Sequence, residues 1–369
     1  MLKARESVRS LPAYQSPLVA RPGLRLDLNE NTAGCSPQVL ARLRELTVND
    51  VGYYREREPI EALMASHLGL DSTEVLLTNG ADEGIHLFAE TFLDPGDEAL
   101  LVVPTFVTFE TSIAATGARI VNVPCEANFG FPLERLTAGI NPRTRLIAIA
   151  NPNNPTGTVV SGETLAEIAR RAPDAAVLID EAYFEYYGKT MLGSWRRGLP
   201  NLFVARTFSK AFGMAGLRVG VLAGNAEHVD QIRRVTTPFN VNAVALACLP
   251  AALADAGYVR EYVEQVRRGR EQVRRELARW NVSCCPSEAA FLLANIGPSH
   301  EAFVRKMDAR GVLVHDRSLD YGCEGWVRIS IGKTEHTARL IEALGEVLPE
   351  IGATCWRDEE ISRLVAPPN

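Results

Sequence analysis

The sequence predicts an α/β protein with a large, mainly parallel sheet domain followed by a smaller α+β domain. Short apolar segments rich in Val, Ile and Leu alternate with helical patterns from about residue 74 to 223. This alternation is typical of βαβ units around a parallel sheet. A shorter set of strand-like and helical segments follows over about 281–350. The 369 residues are enough for one large and one smaller domain.

The predicted elements follow in chain order. Residues 1–25 are expected to form an irregular arm rich in Arg and Pro. Strands of the large sheet are predicted at 74–77, 100–103, 119–123, 146–149, 175–178, 202–205 and 219–222, and the clearest helices between them at 83–93 and 163–171. One long helix, charged on one face, is predicted over about 242–280. The smaller domain should contain strands at 291–295, 312–314 and 326–331 and helices at 299–310 and 334–347.

Bulk composition excludes several classes of function. Hydrophobic residues make up 46% and charged residues 23%, as in ordinary globular proteins. The net charge of −6 gives no indication of a nucleic-acid partner. Neither a membrane-spanning stretch nor a signal-peptide core is visible, so we expect no membrane partner. Six histidines without metal-ligand spacing predict no metal site, and seven scattered cysteines favour a cytoplasmic protein with reduced thiols.

Four polar motifs each follow a predicted strand. They occupy residues 79–84, 150–157, 180–183 and 207–218. Because open α/β sheets bind ligands at the carboxyl ends of their strands, these motifs predict one shared site.

Lys210 is the central residue of the last motif. A lysine at a strand end, close to hydroxyl groups and to Arg218, suits a Schiff base beside an anchored phosphate. Taken alone, the segment fits a surface lysine before a helix equally well.

Together and in this order, the motifs resemble the class I/II aminotransferases among the fold-type I pyridoxal-phosphate enzymes. Within that group the chain is most similar to the histidinol-phosphate aminotransferases, because residues 4–16 match their N-terminal arm and 26–31 their next landmark. The resemblance covers about residues 4–350 and implies a large three-layer domain and the cofactor pyridoxal 5'-phosphate. It also implies the division into an arm with part of the small domain (1–35), a large domain (36–260), a small domain (261–352) and a tail (353–369).

The resemblance implies roles for the residues around the cofactor ring. Lys210 would form the Schiff base and move the substrate proton, and Asp180 would pair with the pyridine nitrogen. Asn154 and Tyr183 would donate hydrogen bonds to the phenolate oxygen. Phe106 would stack on the ring. Without the resemblance, Asp180 could be a helix cap, Asn154 part of a plain turn, and both aromatic residues core side chains.

A second group would hold the cofactor phosphate. The backbone N–H groups of Gly80, Ala81 and Asp82 lie before a predicted helix, and the Asp82 side chain is expected to cap that helix. Thr207, Ser209 and Arg218 would complete the phosphate site. Tyr53 or Tyr54, with Tyr53 favoured, matches a tyrosine that reaches the neighbouring subunit's cofactor, which implies a homodimer with shared active sites.

Substrate recognition is where the chain departs from the family. Arg328 matches the arginine that grips the substrate's anionic group, although an edge-strand arginine paired with Glu is the alternative. Asn29 belongs to the matching 26–31 landmark. His315 stands where related enzymes carry a phosphate-binding arginine, and Arg317 lies two positions on, where it could substitute. Ala290 replaces a usual asparagine.

The expected activity is transfer of an amino group between histidinol phosphate and 2-oxoglutarate/glutamate, with a small-molecule amino donor and keto acceptor. The alternatives are an aminotransferase for aromatic or other amino acids, a phospho-amino-acid decarboxylase, or a non-catalytic ligand sensor on the same fold. An assay of amine acceptors separates the first three, and loss of Lys210, Asp180 or Arg218 would have favoured the sensor.

Overall fold

The computed structural model of the protein describes residues 2–9, 11 and 22–354. The strands are β1 (Leu24–Arg25), β2 (Val75–Thr78), β3 (Glu98–Val103), β4 (Arg119–Pro124), β5 (Thr144–Ala150), β6 (Ala176–Asp180), β7 (Leu202–Thr207), β8 (Gly220–Ala223), β9 (Phe291–Asn295), β10 (Val312–Leu313), β11 (His315–Asp316) and β12 (Trp326–Ser330). The helices are α1 (Glu6–Arg9), α2 (Pro37–Arg44), α3 (Val48–Gly52), α4 (Glu58–Leu68), α5 (Gly80–Phe92), α6 (Val107–Thr116), α7 (Leu133–Ala138), α8 (Gly162–Arg171), α9 (Phe184–Tyr187), α10 (Ala226–Val235), α11 (Ala243–Ala254), α12 (Ala256–Arg279), α13 (His300–Ala309) and α14 (Thr334–Glu350).

A seven-stranded sheet forms the larger layer, in the order β2-β8-β7-β6-β5-β3-β4. Its strands run parallel except β8, which is antiparallel to both β2 and β7. The prediction of a mainly parallel sheet is therefore confirmed. Its strands are nearly all buried and rich in Val, Ile, Leu and Ala, as expected for a sheet covered on both faces.

Helices cover both faces of this sheet. Helices α5, α6 and α10 pack their apolar side chains, Phe88 and Ile232 among them, on one face. Helices α7 and α8 cover the other, where Leu165 and Ile168 are fully buried. The sheet and its two helical faces make the three layers that the sequence predicted.

A second core lies in the C-terminal part of the chain. There β12 is the central strand of an antiparallel sheet in the order β11-β12-β9, packed against α12, α13 and α14. The start of the described chain joins this core, because β1 pairs in parallel with β10. The boundaries of the proposed domains stay a prediction.

Several predicted elements need correction. The long helix expected over 242–280 is two helices, α11 and α12, bent by 76°. Asp255 lies between them with φ −102° and ψ 48°, which is not helical backbone, so one helix ends and another begins there. Helix α5 begins at Gly80 rather than 83, and the 312–314 strand pairs with β1 rather than joining β9 and β12.

The ends of the chain are only partly described. The arm contains the short helix α1 before residue 10, which the prediction of an irregular arm did not include. Residues 12–21 and the predicted tail beyond 354 lie outside the described residues. In the part that is described, no single helix is long and apolar enough to cross a membrane. Helices α11 and α12 pass that test only as a bent pair, by length and composition.

Candidate active site

A cavity of about 340 Å³ lies where β5, β6 and β7 end. Ala150, Asp180 and Thr207, the last residues of those three strands, all line it. All the site residues predicted from the sequence line it as well, except Gly80 and Tyr53. The four motifs therefore meet at one edge of the sheet, as their positions after the strands predicted.

Lys210 follows β7 and lines this cavity. Its Nζ donates to the backbone oxygen of Leu28 at 3.1 Å. Burial, reinforced by repulsion from Arg328, lowers the pKa of Lys210 from 10.5 to about 8. A substantial neutral fraction is then present near pH 7 to 8, as a nucleophilic amine requires.

Asp180 is a buried carboxylate at the end of β6. Its Oδ1 accepts a hydrogen bond from the N–H of Ala182 at 3.0 Å. Burial raises the pKa of Asp180 from 3.8 to about 7, and the neighbouring carboxylates of Asp82 and Glu181 add to the rise. A carboxylate in this state is stabilised by any cation placed against it, so the site is suited to a protonated ring nitrogen.

Tyr183 is held in place by a short chain of hydrogen bonds. Asn29 Nδ2 donates to the Tyr183 hydroxyl at 2.8 Å, and Asn29 Oδ1 accepts from Ser330 Oγ at 2.7 Å. The Tyr183 ring packs edge-on against Phe291, with centroids 5.1 Å apart. The hydroxyl hydrogen remains to be donated to a ligand, while Asn29 positions the tyrosine.

The start of α5 and Arg218 make a candidate anion site. The first N–H groups of a helix have no partner within it, and Ala81 and Asp82 line the cavity in that first turn. Gly80 lies behind them with φ +81°, and a Cβ there would lie 2.6 Å from Arg218 Nη2. Thr207 Oγ1 and Ser209 Oγ are 3.0 Å apart on the facing turn.

The prediction that the Asp82 side chain caps α5 is wrong. Its Oδ2 accepts from Arg218 Nη2 at 2.9 Å, and Asn79 occupies the N-cap position. The carboxylate therefore orients the arginine beside the helix start. Arg218 also donates from Nη1 to the backbone oxygen of Ala215 at 3.2 Å.

Arg328, together with His315 and Arg317, lines the part of the cavity that we call its distal end. It lies in the central strand β12 and is 4% exposed. Its Nη1 donates to Asn154 Oδ1 and its Nη2 to the backbone oxygen of Asp27, both at 2.6 Å. The edge-strand arginine paired with Glu is therefore wrong. Within residues 22–354 its buried Nε has no hydrogen-bond partner, which leaves a donor for a ligand.

His315 and Arg317 lie beside Arg328. His315 pairs with Arg328 across the β11–β12 ladder, and its Nδ1 is 3.1 Å from the backbone oxygen of Asp27. Burial, and then the charges of Arg328 and Arg317, lower the pKa of His315 to about 4, so the ring is neutral near pH 7. Arg317 Nε donates to Asp320 Oδ2 at 2.6 Å. Asp320 was not among the predicted site residues, although an acid three residues after Arg317 is a recognisable signal.

The remaining predicted residues have mixed outcomes. Phe106 lines the cavity at the start of α6 and is half-buried, with its ring edge-on to Phe109. Tyr53 is 69% exposed outside the cavity, and Tyr54 stacks on Phe239 with ring centroids 4.5 Å apart. Ala290 does not line the cavity, because it is buried in the C-terminal core.

Comparison with known proteins agrees with this geometry. Residues 21–344 match the family model described as aminotransferase class I and II. Histidinol-phosphate aminotransferase 1 of Dechloromonas aromatica is 35% identical over 88% of this chain and 90% of its own length. The enzyme of the same name from Thiobacillus denitrificans is 36% identical, with 92% of each chain covered.

A solved structure extends the likeness to three dimensions. Histidinol-phosphate aminotransferase from Sinorhizobium meliloti, in complex with pyridoxal-5'-phosphate, superposes with a TM-score of 0.86 at 25% identity. The match covers 95% of this chain and 99% of that one. The large sheet domain described above is thus the fold-type I architecture, and the chain belongs to the class I and II aminotransferases.

Proposed function

We propose that the protein transfers an amino group between histidinol phosphate and 2-oxoglutarate/glutamate, with pyridoxal 5'-phosphate bound through Lys210. One observation carries this proposal: a single cavity is lined by an amine of lowered pKa, by Arg218 with the start of α5, and by Arg328 with Arg317. The relatives that match over most of the chain carry the same activity in their names. Histidinol phosphate has an amine and an acid group separated by two carbons, which suits this arrangement.

The residues present fit the cofactor. Arg218, Thr207, Ser209 and the start of α5 would hold its phosphate, and Asp180 would face its ring nitrogen. Asn154 gives its oxygen to Arg328, so its amide nitrogen can join the Tyr183 hydroxyl in donating to the ring oxygen. Phe106 would cover one ring face.

The chain's own residues account for binding and proton transfer. When bound, pyridoxal phosphate supplies an aldehyde for the amine and a ring that withdraws electrons. Arg328 holds the substrate's acid group through its buried Nε edge and so fixes which carbon faces Lys210. Neutral Lys210 Nζ takes the proton from that carbon and returns it at the next step, which its lowered pKa permits. Asp180 remains anionic while a cation faces it.

A second candidate is an aminotransferase for an amino acid without phosphate. The distal end of the cavity favours it in one respect, because His315 is neutral and Arg317 is already paired with a carboxylate. Two unpaired arginines would offer a phosphate more positive charge than this end of the cavity does.

The active unit is a homodimer with shared sites. The surface around α3 supports this, because Val48, Val51, Tyr53 and Tyr54 are between 66% and 86% exposed. Grouped apolar residues of this size mark an interaction surface. Tyr54 stacks on Phe239 of its own chain, so Tyr53 is the residue available to reach a neighbour.

The expected compartment of the protein is the cytoplasm, where thiols such as those of Cys284 and Cys285 stay reduced.

Single-turnover spectroscopy tests the proposal. Histidinol phosphate, glutamate and phenylalanine are each mixed with the cofactor-loaded protein while its visible cofactor absorbance is followed, with Lys210→Ala as the control. Rapid loss of absorbance with histidinol phosphate and with glutamate, far ahead of phenylalanine, is expected. Loss of absorbance with phenylalanine alone would favour the second candidate, an aminotransferase for an amino acid without phosphate. If the Lys210→Ala protein still converted these substrates, Lys210 could not be the residue that binds the cofactor and transfers the proton.

A further inference from the structure

Arg317 is held from two sides at the distal end of the cavity. Asp320 Oδ2 accepts from Arg317 Nε at 2.6 Å and also contacts Nη2. On the other side, Arg317 Nη1 lies 3.4 Å from His315 Nε2. Arg317 lines the cavity, whereas Asp320 does not, so the carboxylate acts on a ligand only through the arginine.

His315 accepts at Nε2 and brings no charge of its own. Its Nδ1 lies 3.1 Å from the backbone oxygen of Asp27, which can only accept, and 3.5 Å from Arg328 Nη2, so the nearer contact assigns the hydrogen to Nδ1. The Nε2 lone pair is then free to face Arg317. This histidine therefore steadies the arginine rather than adding a second cation.

Asp320 is in direct contact with the guanidinium of Arg317. Arg328, beside it, donates to uncharged oxygens of Asn154 and Asp27, although the Asp27 carboxylate also acts on it through space. The side chains of Arg317 and Asp320 are only 15% and 26% exposed. At such partial burial, a charge in contact changes the local potential more than it would on an open surface.

The two proposed substrates place different charges at this end. Both react at Lys210, so the acid group nearest the amine meets the same arginines. In glutamate that group is a carboxylate with one negative charge, and in histidinol phosphate it is a phosphate ester with nearly two. An arginine pair without a counter-charge would favour the phosphate and bind the carboxylate poorly by comparison.

We propose that Asp320 sets the charge selectivity of this end, offsetting part of the Arg317 charge so that one site accepts both a carboxylate and a phosphate ester. This inference rests on the proposed function, because it takes the two substrates from there. Asp320 is a positioning residue in this scheme, and Arg317 meets the ligand together with Arg328.

Asp320→Asn tests the proposal, with Glu324→Gln as the matched control. Asparagine keeps an oxygen for Arg317 Nε and removes the charge. Glu324 is an exposed acid on the same loop that does not line the cavity, so its change removes an equal charge from outside the site. The ratio of kcat/KM for histidinol phosphate to that for glutamate is expected to rise about threefold or more in Asp320→Asn, mainly through KM, and to stay constant in Glu324→Gln.

The ratio is measured on one preparation, so a loss of folded protein cancels from it. An unchanged or lower ratio in Asp320→Asn would overturn the proposal, since the carboxylate would then only orient Arg317. An equal rise in Glu324→Gln would also overturn it, because general surface charge would explain the effect.

Inorganic phosphate separates this inference from the proposed function. It is added as a competitor of glutamate in the cofactor-loaded enzyme, where the cofactor's own phosphate site is filled. Its inhibition constant is expected to fall about threefold or more in Asp320→Asn. This measurement can be made even if the wild-type protein does not convert histidinol phosphate. Such a failure would rule out the substrate assignment without ruling out the role of Asp320. An unchanged inhibition constant would end the Asp320 assignment.

Discussion

Burial acts in opposite directions on the two ionisable side chains at the centre of the site. It raises the pKa of Asp180 to about 7 and lowers that of Lys210 to about 8, because it disfavours the charged form of each. Both shifts serve the proposed chemistry, since one group needs a cationic partner and the other must become a neutral amine. Burial of Asp180 costs stability when no cation faces it.

Asp180→Asn is predicted to flatten the pH dependence of stability in cofactor-free protein. Between about pH 4 and 7 folded Asp180 keeps a proton that the unfolded chain has lost, so the free energy of unfolding falls as the pH rises. Between pH 5 and pH 8 the free energy of unfolding of the variant should rise relative to that of wild type by about 3 kcal/mol. Urea unfolding from pH 5 to 8 measures this, and Glu185, whose pKa burial also raises to about 7, leaves a residual slope in both proteins. Equal slopes would contradict the shift.

Side chains that directly follow a strand were predictable, and those that act through tertiary contacts were not. Lys210, Asp180 and Arg218 follow apolar segments in recognisable motifs, and the structure brings all three to the cavity. The carbonyl of Asp27 contacts Arg328, which is 301 positions away in the chain, and His315, which is 288 positions away. No local pattern indicates such a contact. The role of His315 depends on that same carbonyl, which is why the sequence could show only that it departs from the family.

At the scale of elements, the anion site depends on how closely α5 approaches β8. A Cβ built on Gly220 would lie 2.4 Å from the carbonyl carbon of Gly80 and 2.5 Å from the nitrogen of Ala81. Only glycine at this strand position allows the helix start to sit where it does. The strand thus determines the position of the N–H groups proposed to hold the cofactor phosphate.

Gly220→Ala is predicted to weaken cofactor binding. Gly84→Ala, which changes a glycine within α5 itself, is its control. Relieving the overlap at residue 220 costs about 1–3 kcal/mol and moves the start of α5. The dissociation constant for pyridoxal phosphate should then rise about tenfold or more. A Cβ at Gly84 meets Thr78 at an ordinary 3.5 Å, and alanine favours the helix by about 0.5–1 kcal/mol. Absorbance titration gives both constants, and an unchanged constant in Gly220→Ala would show that α5 tolerates the shift.

Periodicity located the elements well but not their breaks. The seven predicted strands of the large sheet all appear, because each is a short apolar segment between turn residues. The break at Asp255 was missed although the sequence carries a signal for it, because Asp is a favoured N-cap residue and Gly257 lies two positions on. The apolar α11 belongs to the core beneath α2 and α4, and the charged α12 to the C-terminal core. Competing burial on the two sides explains a bend that helix propensity alone does not.

At the scale of the whole molecule, the proposed homodimer would draw each proposed site from one chain except for Tyr53. That residue lies outside the cavity on the exposed apolar surface around α3. A homodimer would cover this surface and place each Tyr53 at the other subunit's site. The dimer proposal therefore predicts that activity, and not only the molecular mass, depends on dimer formation, because neither site is complete in an isolated subunit.

Two inactive variants are predicted to restore each other when mixed. Tyr53→Ala keeps Lys210, and Lys210→Ala keeps Tyr53, so a hybrid dimer has one site with both residues and one with neither. Subunits exchanged at random from equal amounts give half hybrids, and thus about a quarter of wild-type activity. Co-refolded mixtures are assayed against each variant refolded alone, with Tyr54→Ala in place of Tyr53→Ala as the control. If Tyr53 served its own chain's site, the hybrid would hold no complete site and no activity would return. Recovery with Tyr53→Ala, together with a Tyr54→Ala protein that is active on its own, would assign the shared contact to Tyr53 and make the dimer the smallest active form.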